Sequence, residues 1–236
     1  MDAELRLSAD ASILVELFGQ PGAGKTTLVR AAASHAKTKA GLTAAWMRLP
    51  ALKKVHLFGQ AALDGACLTA ATRLAIGARL NRGDSLFRLI RLVIKSHWVR
   101  AQKEPLLLEE GHLQDLWSIF YSAGRTEPDP RLLAPLIRCL YRGVEAQIAF
   151  LDTDPQSAFD RIRGRPHGKS RLDRLSDAEL QARLAATAQL PHRIVDAARL
   201  AGVKVQTLDA SQPIEANAGR LVAMVQQLEK FDAGRG

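Results

Sequence analysis

Gly19-Gln20-Pro21-Gly22-Ala23-Gly24-Lys25-Thr26 is the stretch that decides the fold. It has the form G-x-x-x-x-G-K-[ST], a loop whose glycines let backbone N–H groups turn inward around an anion. Before it, Ile13, Leu14, Val15, Leu17 and Phe18 make an apolar run of strand length. After it, Leu28, Val29, Ala31, Ala32 and Ala33 suit a helix packed on a sheet. Strand, tight loop and helix in that order predict a phosphate cradle, to which the helix N-terminus adds partial positive charge. The predicted nucleotide-binding residues are Gly19, Pro21, Gly22, Ala23, Gly24, Lys25, Thr26 and Thr27. Lys25 would reach the outer phosphates, and Thr26 would hold magnesium through its hydroxyl.

Working outward, Leu42-Thr43-Ala44-Ala45-Trp46-Met47 reads as a second strand, and residues 51–103 as an Ala/Leu/Arg-rich helical insert. That insert breaks near Asn81-Arg82-Gly83-Asp84, with Asp84 as the N-cap of the next helix. Pro105-Leu106-Leu107-Leu108-Glu109-Glu110-Gly111 is an apolar run ending in acids, the pattern of a buried parallel strand whose carboxyl end opens on a ligand crevice. Helices are expected from His112 to Ser122 and from about Asp129 to Tyr141. A fourth strand covers residues 144–151 and a fifth residues 203–208. Ser176-Asp177-Ala178-Glu179 has capping-box spacing and opens a helix expected to run to Leu200, kinked at Pro191; another helix follows Pro213. Alternating strands and helices predict one α/β domain over residues 1–236, a three-layer P-loop NTPase fold with a five-stranded parallel sheet and helices on both faces.

Glu109 and Glu110 are the candidate catalytic acids, one orienting magnesium and the other taking a proton from an attacking hydroxyl. By register Glu109 takes the metal-side place with Thr26, which leaves Glu110 for the acceptor. In the arginine-rich segment 155–175, punctuated by Gly164, Pro166 and Gly168, Arg161 and Arg165 stand four apart, on one face if the helix persists. Arg161 and Arg165 are the favoured candidates for stabilising charge on a transferred phosphoryl group, with Arg163 and Arg171 as the alternates. Arg48, ending the second strand, and Arg82, at the helix break, are candidates for binding the acceptor. His112 reads as a capping or surface histidine, and no histidine spacing suggests zinc.

Of 236 residues, 47% are hydrophobic and 24% charged, a globular composition, and every apolar stretch is interrupted by Arg or Lys before it reaches membrane-spanning length. The start, MDAELRLSAD, lacks the apolar core of a secretory signal, and Cys67 and Cys139 lack metal spacing, so a reducing cytoplasm is expected. A formal charge of +9 invites a nucleic-acid partner. The cations fall in two clusters, residues 73–103 and 161–174; convergence of both on a phosphate site would account for much of the excess, and a solvated basic helix face is the alternative for the first. Aromatic residues, at 5%, are sparse for a base-stacking surface.

The loop GQPGAGKT, the strand LLLEEG, the segment DRIRGRPHGKSR and the last strand running into LDASQPIEA together resemble the P-loop kinases of the nucleoside and nucleotide kinase group, thymidylate kinase in particular. The run LLLEEGHLQDLWS is also similar to uncharacterised bacterial ATP-binding proteins whose strand ends Asp-Gln-Gly and continues Leu-Gln-x-Leu-Trp-Ser. The resemblance implies ATP and magnesium as cofactors. It also implies an arginine lid over the donor phosphates, and adenine contacts from Ala210, Ser211 and Gln212. Thymidylate kinases place Asp-Arg and an aromatic where this chain has Glu109-Glu110-Gly111, so the acceptor stays open. The leading expectation is phosphoryl transfer from ATP to a small molecule. An ATPase acting as a regulatory or assembly switch and a polynucleotide-binding or polynucleotide-phosphorylating protein are the alternatives.

Overall fold

The computed structural model describes residues 12–35, 51–80, 83–165 and 172–233. The central strand is β1 (Ser12–Phe18), buried along its whole length. Parallel neighbours β2 (Leu106–Leu108) and β3 (Val144–Asp152) flank it, and β4 (Lys204–Asp209) pairs with β3, giving the order β2-β1-β3-β4. The sheet therefore has four strands among the described residues rather than the five expected; the remaining expected strand, residues 42–47, lies outside them.

Because successive side chains on a strand point to opposite faces, β1 feeds two cores. Ile13, Val15 and Leu17 pack with α1 (Lys25–His35) and α10 (Ile214–Ala233). Leu14 and Phe18 face a larger core built from α2 (Ala51–Leu63), α3 (Gly65–Gly77), α4 (Gly83–Arg100), α5 (His112–Ser122), α6 (Pro130–Leu140) and α9 (Gln189–Leu200). Burial on both faces is why β1 and β2 read as apolar runs, whereas the edge strand β4 is largely exposed and carries Lys204, Gln206 and Thr207. A third, smaller core joins α7 (Pro155–Arg163) to α8 (Asp177–Ala186) through Ala158, Ile162, Leu180 and Leu184.

Two local expectations change. The segment from Ser176 to Leu200 is two helices, parted at Thr187 and Ala188; Ser176 and Glu179 form the capping box, and Pro191 sits in the first turn of α9, where its missing N–H costs no helical bond. Asp84 does not cap α4, which begins at Gly83; it lies in the first turn and pairs with Arg88 at 2.9 Å. Among the described residues no helix is long and apolar enough to cross a membrane. The sheet winds outward from β1 in both directions, so the carboxyl ends of β1 and β2 form the crevice where such sheets hold ligands.

Candidate functional site

The loop leaving β1 is shaped by its glycines. Gly22 and Gly24 have φ of 87° and 97°, conformations that L side chains rarely adopt, and a Cβ on Gly22 would stand 2.5 Å from the Ala158 carbonyl oxygen. Gln20 Nε2 donates to Thr153 O at 2.6 Å and anchors the loop to the end of β3. Lys25 opens α1, and its ammonium donates to Gly19 O at 2.7 Å and Gln20 O at 3.1 Å. Burial pushes the Lys25 amine down to about 8; the carboxylates of Glu109 and Glu110 oppose that shift, and Arg165 adds to it.

Opposite the loop, β2 ends and delivers the two acids. Thr26 Oγ1 donates to Glu109 Oε1, which brings together the residues expected to share magnesium. The turn behind them is held from within the core. Glu16, fully buried in β1, accepts the backbone N–H of His112 at 2.9 Å and of Leu113 at 2.7 Å, and the Tyr141 hydroxyl at 2.5 Å. The carboxylate therefore sits at the N-terminus of α5, where free N–H groups favour an anion. Burial raises its pKa, but His112, Tyr141 and the charge of Lys95 outweigh that and leave it below the ordinary carboxylate value. Gly111 has to be glycine, since a Cβ would lie 2.0 Å from Glu16 Cδ. His112 is not at the surface: it is completely buried, its ring edge-on to Tyr141 at 5.1 Å, and burial lowers its pKa.

The two favoured arginines both reach the crevice, by different routes. Arg161, on the last turn of α7, donates to Ala23 O at 3.0 Å and Ala210 O at 2.8 Å, bridging the β1 loop and the loop after β4. Arg165 lies beyond the end of α7 at Arg163, so the two do not share a helix face, yet both line the cavity. Arg163 turns away, pairing with Asp177 at 2.8 Å and donating to Leu175 O at 2.7 Å, which ties α7 to the start of α8. Arg171, Arg48 and Arg82 lie outside the described residues.

Pro21, Gly22, Gly24, Lys25, Thr26, Thr27, Glu109, Glu110, Arg161 and Arg165 thus line one cavity of about 740 Å³. Gly19 and Ala23, though expected at the site, do not line it. Ala210 meets the site through Arg161, whereas Ser211 and Gln212 are exposed, bond to the Asp209 carboxylate and do not line the cavity.

The far wall belongs to α5: Trp117, a tryptophan expected in the core or a pocket wall, lines it together with Gln114, Asp115, Ser118 and Tyr121, which have no counterpart in the expected residues. Trp117 and Tyr121 stack at 4.7 Å. The signal for this wall is helical spacing, since 114, 117, 118 and 121 fall on one side while Leu113, Leu116 and Phe120 fill the core. Asp115 and Ser118 also line a second cavity of about 400 Å³ between α4 and α5, whose other walls include Asp84, Arg88, Arg91 and Lys95. Arg88 donates to Ser122 Oγ at 3.1 Å. Lys95 is buried and bonds to Glu110 O, Gly111 O and Asp115.

No family model and no curated protein sequence matches this chain. Among solved structures it is similar to deoxyadenosine kinase from M. mycoides with bound dATP, at 11% identity and TM-score 0.50, covering 90% of this chain and 99% of that one. The same kinase with products dCMP and a flexible dCDP gives 12% and 0.49, and with bound dCTP 12% and 0.48, each covering 91% and 99%. At these identities the likeness is one of architecture: the chain has an α/β fold similar to that of deoxyadenosine kinase.

Proposed function

We propose that the chain is a small-molecule kinase, transferring the γ-phosphoryl group of ATP to an acceptor hydroxyl with magnesium beside the phosphates. One observation carries this reading. Lys25 and Thr26 from the loop after β1, Glu109 and Glu110 from the end of β2, and Arg161 and Arg165 from the end of α7 converge on a single cavity.

The residues fit the metal: the Thr26 hydroxyl and the Glu109 carboxylate already touch, and both are the hard oxygen donors that magnesium takes. When bound, the ion supplies neutralisation of charge on the phosphate oxygens. They fit a nucleoside triphosphate as well, because Gly22 and Gly24 open the backbone toward the N-terminus of α1 and Lys25 stands at that N-terminus.

In the transfer, the acceptor oxygen bonds to the γ-phosphorus as the bond to the bridging oxygen breaks, and the bridging electron pair leaves with ADP. Glu110 receives the hydroxyl proton, a role worth about 10²–10⁴ in rate. Lys25 and Arg165 carry the negative charge of the moving group; an arginine so placed supplies on the order of 10³–10⁵. Arg161, committed to two carbonyl oxygens, braces the β1 loop against the loop after β4. The acceptor occupies the cavity between α4 and α5, which meets the donor cavity at Asp115 and Ser118. That adjoining space favours a kinase over an ATPase switch, which needs no acceptor room.

The test is magnesium-dependent ADP release measured across nucleosides, nucleotides, sugars and aminoglycosides. Release that rises with one acceptor class and disappears in Lys25→Ala is expected. Release that depends on Lys25 but is indifferent to every acceptor would identify the switch instead, and turnover that survives Lys25→Ala removes the reading.

A further inference from the structure

We propose that Lys95 is a positioning residue that sets the place of Glu109 and Glu110, and through Glu109 the affinity of the site for magnesium; the inference rests on the function proposed above. Lys95 belongs to α4, where Leu89, Leu92, Val93 and Val99 are buried in the large core, and it is itself only 5% exposed. An ammonium so placed costs several kcal/mol of lost hydration unless it is fully paired. It has three N–H donors and three acceptors: Glu110 O at 2.6 Å, Asp115 Oδ2 at 2.8 Å and Gly111 O at 3.2 Å.

Two of those acceptors are main-chain oxygens of the turn that carries the acids. Pairing with Asp115 alone would leave the turn free, and apolar side chains commonly replace buried ion pairs without loss of stability. The arrangement is therefore directed at the turn. From the other side Glu16 accepts the N–H groups of His112 and Leu113. Backbone groups of four successive residues, 110–113, are thus held between a buried cation from α4 and a buried anion from β1. This fixes where the Glu109 and Glu110 side chains begin. Lys95 also lines the second cavity and its partner Asp115 lines both, so the side proposed for the acceptor and the acid turn share one ammonium.

The experiment is calorimetric titration of ADP without magnesium, then of magnesium into the ADP complex, for wild type, Lys95→Met and Lys95→Arg. Lys95→Met should bind ADP alone as wild type does, while its magnesium affinity falls about 10–100-fold, the usual cost of losing a group that orients a metal ligand. Lys95→Arg, which keeps a cation with several donors, should recover part of that loss. A purely structural role would weaken both titrations together. Unchanged magnesium affinity in Lys95→Met overturns the inference and leaves the proposed function standing; wild-type protein that binds no ADP overturns both. Should Lys95→Met not fold, Asp115→Asn removes the charged arm and keeps both carbonyl arms, with a loss of about 10-fold expected and none overturning the idea.

Discussion

Residues 19–26 take their shape mainly from local groups: Gly22 and Gly24 take up positive φ, Ala23 N bonds back to Gln20 O, and the Lys25 ammonium folds onto Gly19 O and Gln20 O, with Gln20 and Arg161 tying the loop to its surroundings. Residues 110–113 across the cavity borrow theirs. Their carbonyls rest on Lys95, 15 and 16 positions earlier, and their N–H groups rest on Glu16, 96 and 97 positions earlier. A turn made from local conformation is written where it occurs, while a turn made from distant charges is written elsewhere in the chain. The first fails through its backbone, and the second fails when a remote side chain is removed.

The largest expected effect lies in the second turn. Glu16→Ala strands two backbone N–H groups and the Tyr141 hydroxyl in the core, and about 3–5 kcal/mol of unfolding free energy should be lost, since each buried donor left without an acceptor costs about 1–3 kcal/mol. Urea unfolding measures it; a loss below about 1 kcal/mol would mean the turn holds itself. The lowered pKa of Glu16 gives the loss a pH signature. Its contribution is complete above the ordinary 4.5 and disappears as pH falls through the lower folded value, so the variant and wild type should converge in acid.

Next is the first turn. Gly22→Ala puts a methyl group against the Ala158 carbonyl at a φ of 87°, a strain of about 1–3 kcal/mol, and ADP affinity should fall by a comparable factor. Affinity equal to wild type, read by calorimetry, would show that the loop yields without cost.

A smaller effect separates the turns by pH. With the Lys25 amine pushed down to about 8, its charge is present below that pH, and ADP affinity should weaken by about tenfold per pH unit above it, toward the higher value the amine takes beside phosphate. The unliganded fold moves oppositely. Between about 8 and 10.5 the unfolded chain holds a proton that the folded Lys25 has released, so stability rises with pH across that window. Lys25→Arg keeps its charge throughout and should abolish the inflection in affinity; an inflection that persists would assign it to another group.

The smallest change is a control away from both turns. Ser176→Ala removes the cap of α8, which should cost about 1 kcal/mol and leave ADP binding as it was. A fall in ADP affinity would show that α8 communicates with the site.

β1 and β2 were legible because each is an apolar run buried along its length, and the loop after β1 was legible because Gly22, Gly24, Lys25 and Thr26 lie within one contiguous turn. Glu109 and Glu110 stood out for the same reason, as charges ending the run Leu106-Leu107-Leu108. Glu16 was not legible. A single acid inside Leu14-Val15-Glu16-Leu17 reads as a polar interruption until the fold brings α5 and Tyr141 onto it. Lys95 vanished into a basic helix for the same reason, since its acceptors Glu110 O and Gly111 O lie on a turn that follows later in the chain. Spacing also misplaced Arg165: four residues imply a shared face only while the helix lasts, and α7 stops at Arg163.

The wall shared by the two cavities carries a chemical opportunity. Asp115 and Ser118 stand on both sides of it, so the two chambers, about 740 and 400 Å³, are adjoining rooms with one partition. If the proposed function holds, a single linked compound, polyphosphate at one end and acceptor fragment at the other, needs a tether only long enough to pass that partition. Binding of its second half is then intramolecular, and affinity rises by about 10²–10⁴ over either half without any new contact.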